Sequence, residues 1–295
     1  MGSTLILMDN RDSQRYYSAF YARRIYRIFP IYYIMIGILA VGVTLFPQSR
    51  LFAGSIPLWV YPLYAQNLVG NFTSASRFMG VTWSLAVEEQ FYLVFPAIVR
   101  LCSRRTLMFV AILGIIGSPA LRTALIMHGW DFAQVHPLLP CRADALSLGV
   151  LAAMAIRSKG AQRWIVKNRA ALYCCLLALF GASATLLKWT NYRYVGTIGY
   201  TVLGAMYCLL VTLLLVAPHP LMVRIFRAGW LCWLGTVSYC VYLIHQPVLE
   251  GMQMLSHSTG ALVTLAAAIL TMVIALGSWL FIEKPLVTLG HRYRY

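Results

Sequence analysis

The sequence predicts an all-α fold, a polytopic integral membrane helical bundle of about eight transmembrane helices. Three observations carry that expectation. Of 295 residues, 60% are hydrophobic and 11% charged, against roughly 25% charged in soluble domains, and mean hydropathy is +0.72. The apolar residues form continuous runs close to the roughly 20 residues a helix needs to cross a hydrocarbon core, not the alternating ten-residue segments of a β-barrel. The basic residues gather between those runs. Together these features exclude a soluble globular enzyme and a disordered chain.

In chain order the predicted spans are 30–47, 83–101, 107–126, 142–156, 170–188, 198–217, 230–250 and 261–283. The 142–156 segment is short, which implies a span that is tilted, broken or longer or shorter than these bounds. Segment 54–70 is apolar but interrupted by Pro57, Pro62 and Gln66, so it reads as a re-entrant or surface piece. Residues 1–8 are too short for the apolar region of a signal peptide and read as the tail of a helix. No repeat or linker is evident. The expected organisation is a single domain over 1–295, with a cytoplasmic Arg-rich entry (1–29), a membrane bundle (30–283) and a cytoplasmic tail (284–295).

The net charge of +16 comes from 24 Lys and Arg against 8 Asp and Glu. Nucleic acid is one reading of such an excess, but the positive-inside rule predicts it for a membrane protein, so no nucleic-acid partner is expected. With both termini in the cytoplasm, 18 of the 24 basic residues fall on the inner side; the reverse orientation would invert the ratio. The seven Cys include no CxxC pair, so neither a disulfide framework nor a metal site is expected. The Asn71–Phe72–Thr73 triplet matches a glycosylation sequon, but such a triplet is weak on its own.

Polar residues inside apolar spans call for a reason, because a charge at mid-membrane costs roughly 2.5–3.5 kcal/mol on insertion scales. In Trp83–Ser84–Leu85–Ala86–Val87–Glu88–Glu89–Gln90–Phe91–Tyr92, residues Ser84, Glu88 and Tyr92 share one helical face. A hydroxyl, a carboxylate and a phenol facing the bundle interior could accept and relay protons. The alternative is an interhelical ion pair of Glu88, for example with Arg142. In the stretch Tyr21 to Tyr33, Arg24 and Arg27 lie three apart on one face at the membrane edge, where two guanidinium forks suit a phosphate-rich anion. The alternative is a topology anchor that binds membrane lipid head groups. Pro30 is expected to break or kink that helix.

Three further clusters follow. Arg142 and Asp144 are two apart and point to different faces, which implies separate, structural partners. Ser238, Tyr242 and His245 share a face, with His245 near the outer end of its helix as a base, a hydrogen-bond donor or a structural residue. Glu283 before Lys284 and Pro285 fixes the end of the last helix and could pair with a cytoplasmic Arg.

In this order, Arg23–Arg24–Ile25–Tyr26–Arg27–Ile28–Phe29–Pro30, Thr82 to Tyr92, Arg142 to Leu146, Leu234–Gly235 with Ser238 through His245, and Phe281 to Pro285 resemble the acyltransferase 3 family of integral membrane acyltransferases. The Trp–Ser–Leu to Glu–Glu–Gln–Phe–Tyr string is the most specific, and the set covers nearly the whole chain. The resemblance implies a ten-helix enzyme of the O-antigen or exopolysaccharide O-acetyltransferase type in a bacterial inner membrane. It implies acyl-CoA, usually acetyl-CoA, as cytoplasmic co-substrate, and a hydroxyl of a cell-surface glycan or lipid-linked sugar as acceptor. It assigns Arg24 and Arg27 to the acyl-CoA end. The expected catalytic set is Glu88, Ser84 and Tyr92, with Trp83, Arg142 and His245 around the substrate.

The resemblance also implies two earlier helices, the first bearing an Arg followed about ten residues later by the family's presumed catalytic His. This chain starts where the second should be ending, and none of its six His matches. A late gene start, a natural truncation and a rerouted mechanism are the explanations left open. A transporter or flippase of a lipid-linked sugar is the alternative from another class, and a non-catalytic truncated family member is the third. Oligomeric state is not legible.

Overall fold

The computed structural model describes residues 1–69, 75–189 and 195–295; the 71–73 sequon lies outside them. The helices are α1 (Gly2–Asp9), α2 (Tyr16–Leu45), α3 (Trp83–Leu101), α4 (Arg104–Met127), α5 (Ala143–Ile156) and α6 (Lys159–Lys167). They continue with α7 (Arg169–Trp189), α8 (Tyr200–Val216), α9 (Pro220–Phe226), α10 (Gly229–Ser256), α11 (Ala261–Ser278) and α12 (Lys284–Gly290). Between α2 and α3, a 3-10 helix (Leu58–Leu63) and one helical turn (Gln66–Val69) occupy the segment predicted to be re-entrant. No strand occurs among the described residues. The protein is an all-α integral membrane protein.

All eight predicted spans are helical. By length and composition four described helices could cross a membrane: Tyr16–Leu45, Arg104–Met127, Gly196–Val216 and Ala261–Gly290. A fifth arises if Lys159–Lys167 and Arg169–Thr185, which meet at 77°, form one span. The others fall short for visible reasons. Helix α5 has only 14 residues, and α3 carries Glu88, Glu89 and Arg100.

Three boundaries differ from expectation. Helix α2 starts at Tyr16 rather than near residue 30, so Arg23, Arg24 and Arg27 sit on the same continuous helix as the apolar stretch that follows them. Pro30 does not break it; proline removes one N–H, leaving the Tyr26 carbonyl without its usual partner, and the rest of the ladder carries on. Helix α10 continues beyond the expected end at 250 to Ser256, which puts His245 farther inside the helix than expected. The last span likewise does not stop at Glu283. A π-turn (Trp279–Glu283) leads into α12, so the expected tail is helical as far as Gly290.

The chain divides into two compact units. The first comprises residues 1–12 and 91–228. In it α5 packs against α4 and α8, and α1 packs against α5. Small residues permit the approach: a Cβ at Gly114 would strike Ser147 Oγ, and one at Gly204 would touch Ala145. One end carries basic side chains that close the helix termini. Arg11 donates to the carbonyls of Arg100 and Cys102, Arg104 donates to that of Met154, and Arg157 pairs with Asp9. The last carbonyls of a helix have no partner within it, so Arg11 and Arg104 satisfy them and complement the helix dipole.

The second unit comprises residues 13–90 and 229–295. Its core joins α2, the 3-10 helix, the start of α3, α10 and α11 through Tyr32, Met35, Leu39, Val60, Tyr61, Met79, Ala86, Val237, Leu243 and Ala275. The irregular segment is tolerated because its amides are bonded inside protein. Gln66 is buried and donates to the Thr82 carbonyl at 2.9 Å. Asn67 and Gln90 exchange side-chain hydrogen bonds, and Gln90 also donates to the Tyr64 carbonyl at 2.8 Å. Tyr64 lies in the left-handed region (φ 52°), a conformation that bulky residues adopt only when their surroundings fix it. Here its ring stacks on Tyr32 with centroids 4.4 Å apart.

Candidate active site

The first turns of α3 hold the acidic string. Glu89 follows Leu85 by four residues and Ala86 by three, so all three share a face. Leu85 and Ala86 are buried in the core of the second unit, which turns Glu89 inward. Its Oε1 accepts from Arg24 Nη2 on α2 at 2.5 Å, with both side chains more than four-fifths buried. The ion pair expected as an alternative for Glu88 is therefore made by Glu89, and its partner is Arg24.

Glu88, one residue earlier, is exposed. It makes no hydrogen bond or ion pair among the described residues; Arg24 and Glu89 are the charges acting on it. The face shared by Ser84, Glu88 and Tyr92 thus does not look into the core, because the inward side of the helix is taken by Leu85, Ala86 and Glu89. Tyr92 is half-buried, with its ring edge-on to Phe91 at 5.3 Å. Trp83 begins the helix and is half-buried.

Ser84 meets α10. Its hydroxyl contacts the Tyr242 hydroxyl, and both converge on the Val81 carbonyl, at 3.2 Å from Ser84 and 2.9 Å from Tyr242. One turn along α10, His245 lies with its ring centroid 5.9 Å from that of Tyr242. Its Nδ1 sits 2.7 Å from the Tyr242 carbonyl and 3.2 Å from the Val241 carbonyl. Carbonyls only accept, so Nδ1 carries a proton and donates, and Nε2 is the ring nitrogen that faces away from these bonds. Ser238 instead donates to the Gly235 carbonyl of its own helix.

Arg27 is exposed and makes no hydrogen bond or ion pair among the described residues. Glu283 is buried and accepts from Ser278 Oγ at 2.8 Å; Arg27 is a charge acting on it. The structure thus brings Arg24 and Glu89 together, and separately Ser84, Tyr242 and His245.

Arg142 and Asp144 belong to the first unit and part company as their spacing implied. The Arg142 guanidinium lies 4.6 Å over the Tyr200 ring, and Asp144 pairs with Arg122 at 2.9 Å, both essentially without exposure. Arg122 also donates to the carbonyls of Thr197 and Cys141 and to Thr201 Oγ1, and Thr201 donates to Asp144 at 2.5 Å. Sequence reasoning missed Arg122, although a lone Arg within span 107–126 was the signal that could have found it. It also missed the part played by Glu89, which the buried Leu85 and Ala86 at helical spacing would have given. Nearby in the loop after α4, His136 is packed between Phe132 and Tyr200 at 4.8 and 4.5 Å. Burial, aided by the charges of Arg142 and Arg122, pushes its pKa down to about 3.

Two bacterial proteins are similar to the chain. Over 97% of its length it is 28% identical to a Bacillus subtilis (strain 168) protein provisionally named peptidoglycan O-acetyltransferase YrhL, of which the match covers 47%. Over 90% of its length it is 25% identical to peptidoglycan O-acetyltransferase OatA of Listeria monocytogenes serovar 1/2a (strain ATCC BAA-679 / EGD-e), of which the match covers 46%. The chain therefore spans about half the length of these curated relatives. No solved structure matches it. Residues 3–282 match the acyltransferase 3 family model, an acyltransferase domain. With the Trp83–Tyr92 string and the Arg23–Pro30 stretch both inside that match, the chain belongs to the acyltransferase 3 family.

Proposed function

We propose that the protein is a membrane O-acyltransferase that moves an acyl group, acetyl in the first instance, from acyl-CoA on the cytoplasmic side to a hydroxyl of a cell-envelope glycan. The relatives' names make peptidoglycan the acceptor to test first. The setting is the bacterial inner membrane with both termini cytoplasmic, supported by the basic belt at one end of the first unit.

The observation that carries this reading is Glu88, an exposed carboxylate that makes no ion pair among the described residues, beside an Arg that Glu89 has fixed in place. In the reaction the acceptor oxygen attacks the thioester carbonyl carbon. A C–O bond forms, the C–S bond breaks, the acceptor hydroxyl gives up its proton, and CoA leaves as a thiolate that takes one up. Glu88 accepts the hydroxyl proton, a role worth roughly 10²–10⁴ in rate. His245 Nε2 is the second acceptor, held by the Tyr242 carbonyl next to the Ser84 and Tyr242 hydroxyls. Arg27, with its guanidinium uncommitted, binds donor phosphate, and Glu89 keeps Arg24 oriented beside it.

The test is transfer of labelled acetyl from acetyl-CoA to glycan by membranes that contain the protein. Glu88→Gln should lower transfer at least a hundredfold at equal membrane abundance. Undiminished transfer by that variant would refute the assignment.

A further inference from the structure

The end of α2 opposite its apolar stretch and the chain after α12 enclose a cleft of about 330 Å³, lined by Arg15, Ser18, Tyr26, Arg292, Tyr293 and Arg294. We propose that this cleft binds the phosphorylated adenosine end of the acyl-CoA donor, an inference that rests on the acyl-CoA reading above. Three guanidiniums converge on it, and no Asp or Glu is among its lining residues, so its field favours a polyanion. Guanidinium forks match phosphate oxygens bidentately. The two phenol rings give it a flat apolar side. Tyr26 and Tyr293 lie 6.0 Å apart at 31°, the kind of surface on which a base stacks. Its volume is at the small end of ligand clefts, roughly 300–1,000 Å³, which fits a nucleotide and not a whole acyl-CoA.

The cleft is built rather than incidental. Arg23 Nε donates to the Tyr293 carbonyl at 3.0 Å, and the Arg23 guanidinium lies 4.9 Å from the centre of the Tyr295 ring. Helix α12 packs along α2. A Cβ at Gly290 would stand 3.0 Å from Tyr26 Cβ, tighter than an ordinary contact, so glycine lets the tail lie this close. Arg23 is thus spent on holding the tail, while Arg15, Arg292 and Arg294 make no side-chain hydrogen bond or ion pair among the described residues. Position matters as well. Tyr26 lines the cleft and directly precedes Arg27, so a nucleotide lodged there lies within a helical turn of the Arg pair assigned to the donor's remaining phosphates. Arg292 and Arg294 acquire a ligand by this placement.

The same phosphate chemistry could come from an anionic lipid head group, and the experiment separates the sources. Binding of coenzyme A and of 3′-dephospho-coenzyme A is measured by calorimetry on the purified full chain, alongside the Arg292→Gln/Arg294→Gln double variant and Arg15→Gln. Retention of phosphatidylglycerol is measured on the same samples by native mass spectrometry. The proposal expects wild type to bind coenzyme A roughly tenfold or more tighter than the dephospho form. Each variant should weaken coenzyme A at least tenfold and lose most of that discrimination, with an unchanged unfolding temperature. Wild-type affinity in both variants overturns the cleft while leaving the acyl-CoA reading intact, and so does a loss confined to phosphatidylglycerol. Absence of coenzyme A binding by folded wild type overturns the acyl-CoA reading and the cleft with it.

Discussion

Each unit places an Arg against a carboxylate between apolar helices, and the two pairs are finished differently. In the first unit Arg122 is wholly buried, and its guanidinium is occupied by Asp144, Thr201 and the carbonyls of Cys141 and Thr197. Asp144 in turn accepts from Thr201 and from the backbone N–H of Ala145. In the second unit Arg24 pairs with Glu89, but the adjoining Glu88 and Arg27 stay exposed and make no hydrogen bond or ion pair among the described residues. A saturated charge network holds helices together. A half-saturated one keeps charges available, which is what binding and proton transfer need. Presence of charge in an apolar span says that a reason exists, and the state of its partners says which reason.

The comparison breaks most visibly at Arg122. Arg122→Leu leaves Asp144 buried without its cation, and breaking a buried pair from one side costs about 3–5 kcal/mol. The variant should lose most of its membrane-inserted, protease-resistant protein; near-normal levels would show that the network is dispensable. Next in size, Arg27→Gln should leave abundance unchanged and raise the KM for acetyl-CoA tenfold or more, since an exposed side chain with no hydrogen bond or ion pair among the described residues contributes little to folding. A drop in protein level with unaltered KM would make Arg27 a structural residue.

Smaller still is Tyr242→Phe. It removes one hydroxyl from the Ser84–Val81 cluster, worth about 1 kcal/mol of stability, and should shift unfolding by only a few degrees. A large collapse would mean that this contact is structural after all. A further effect, absent at neutral pH, appears only on acidification. His136 is held neutral in the folded protein, with a pKa near 3, against about 6.5 unfolded. The unfolded chain therefore binds the extra proton, and this contribution to stability is present above pH 6.5 and lost as pH falls from there toward 3. His136→Phe should flatten that part of the stability profile relative to wild type, and an identical profile would contradict the burial of a neutral ring.

Much of the fold was legible because apolar runs and clustered Arg are properties of composition. The errors share one physical origin. Periodicity tells which residues share a face, but not which face is packed. Ser84, Glu88 and Tyr92 do share a face, yet buried Leu85 and Ala86 show that the packed one belongs to Glu89. Pro30 was expected to break or kink its helix, whereas one missing N–H does not end a helix that tertiary packing supports. Arg122 escaped notice because its neighbours Leu121 and Thr123 look ordinary, and its partners Asp144, Thr197 and Thr201 are distant in sequence. The cleft at the tail was illegible for the same reason, since Arg15 and Arg292 come from opposite ends of the chain.

The most direct test sets the two carboxylates side by side. Acetyl transfer per molecule of membrane-inserted protein would be measured for Glu89→Gln and Asp144→Asn against wild type. The account predicts that Glu89→Gln is present at normal level but transfers poorly, because Arg24 loses its orientation. It predicts that Asp144→Asn is scarce, while the protein that remains transfers at close to the wild-type rate. The reverse pattern, an abundant but inactive Asp144→Asn beside a scarce but active Glu89→Gln, would contradict it.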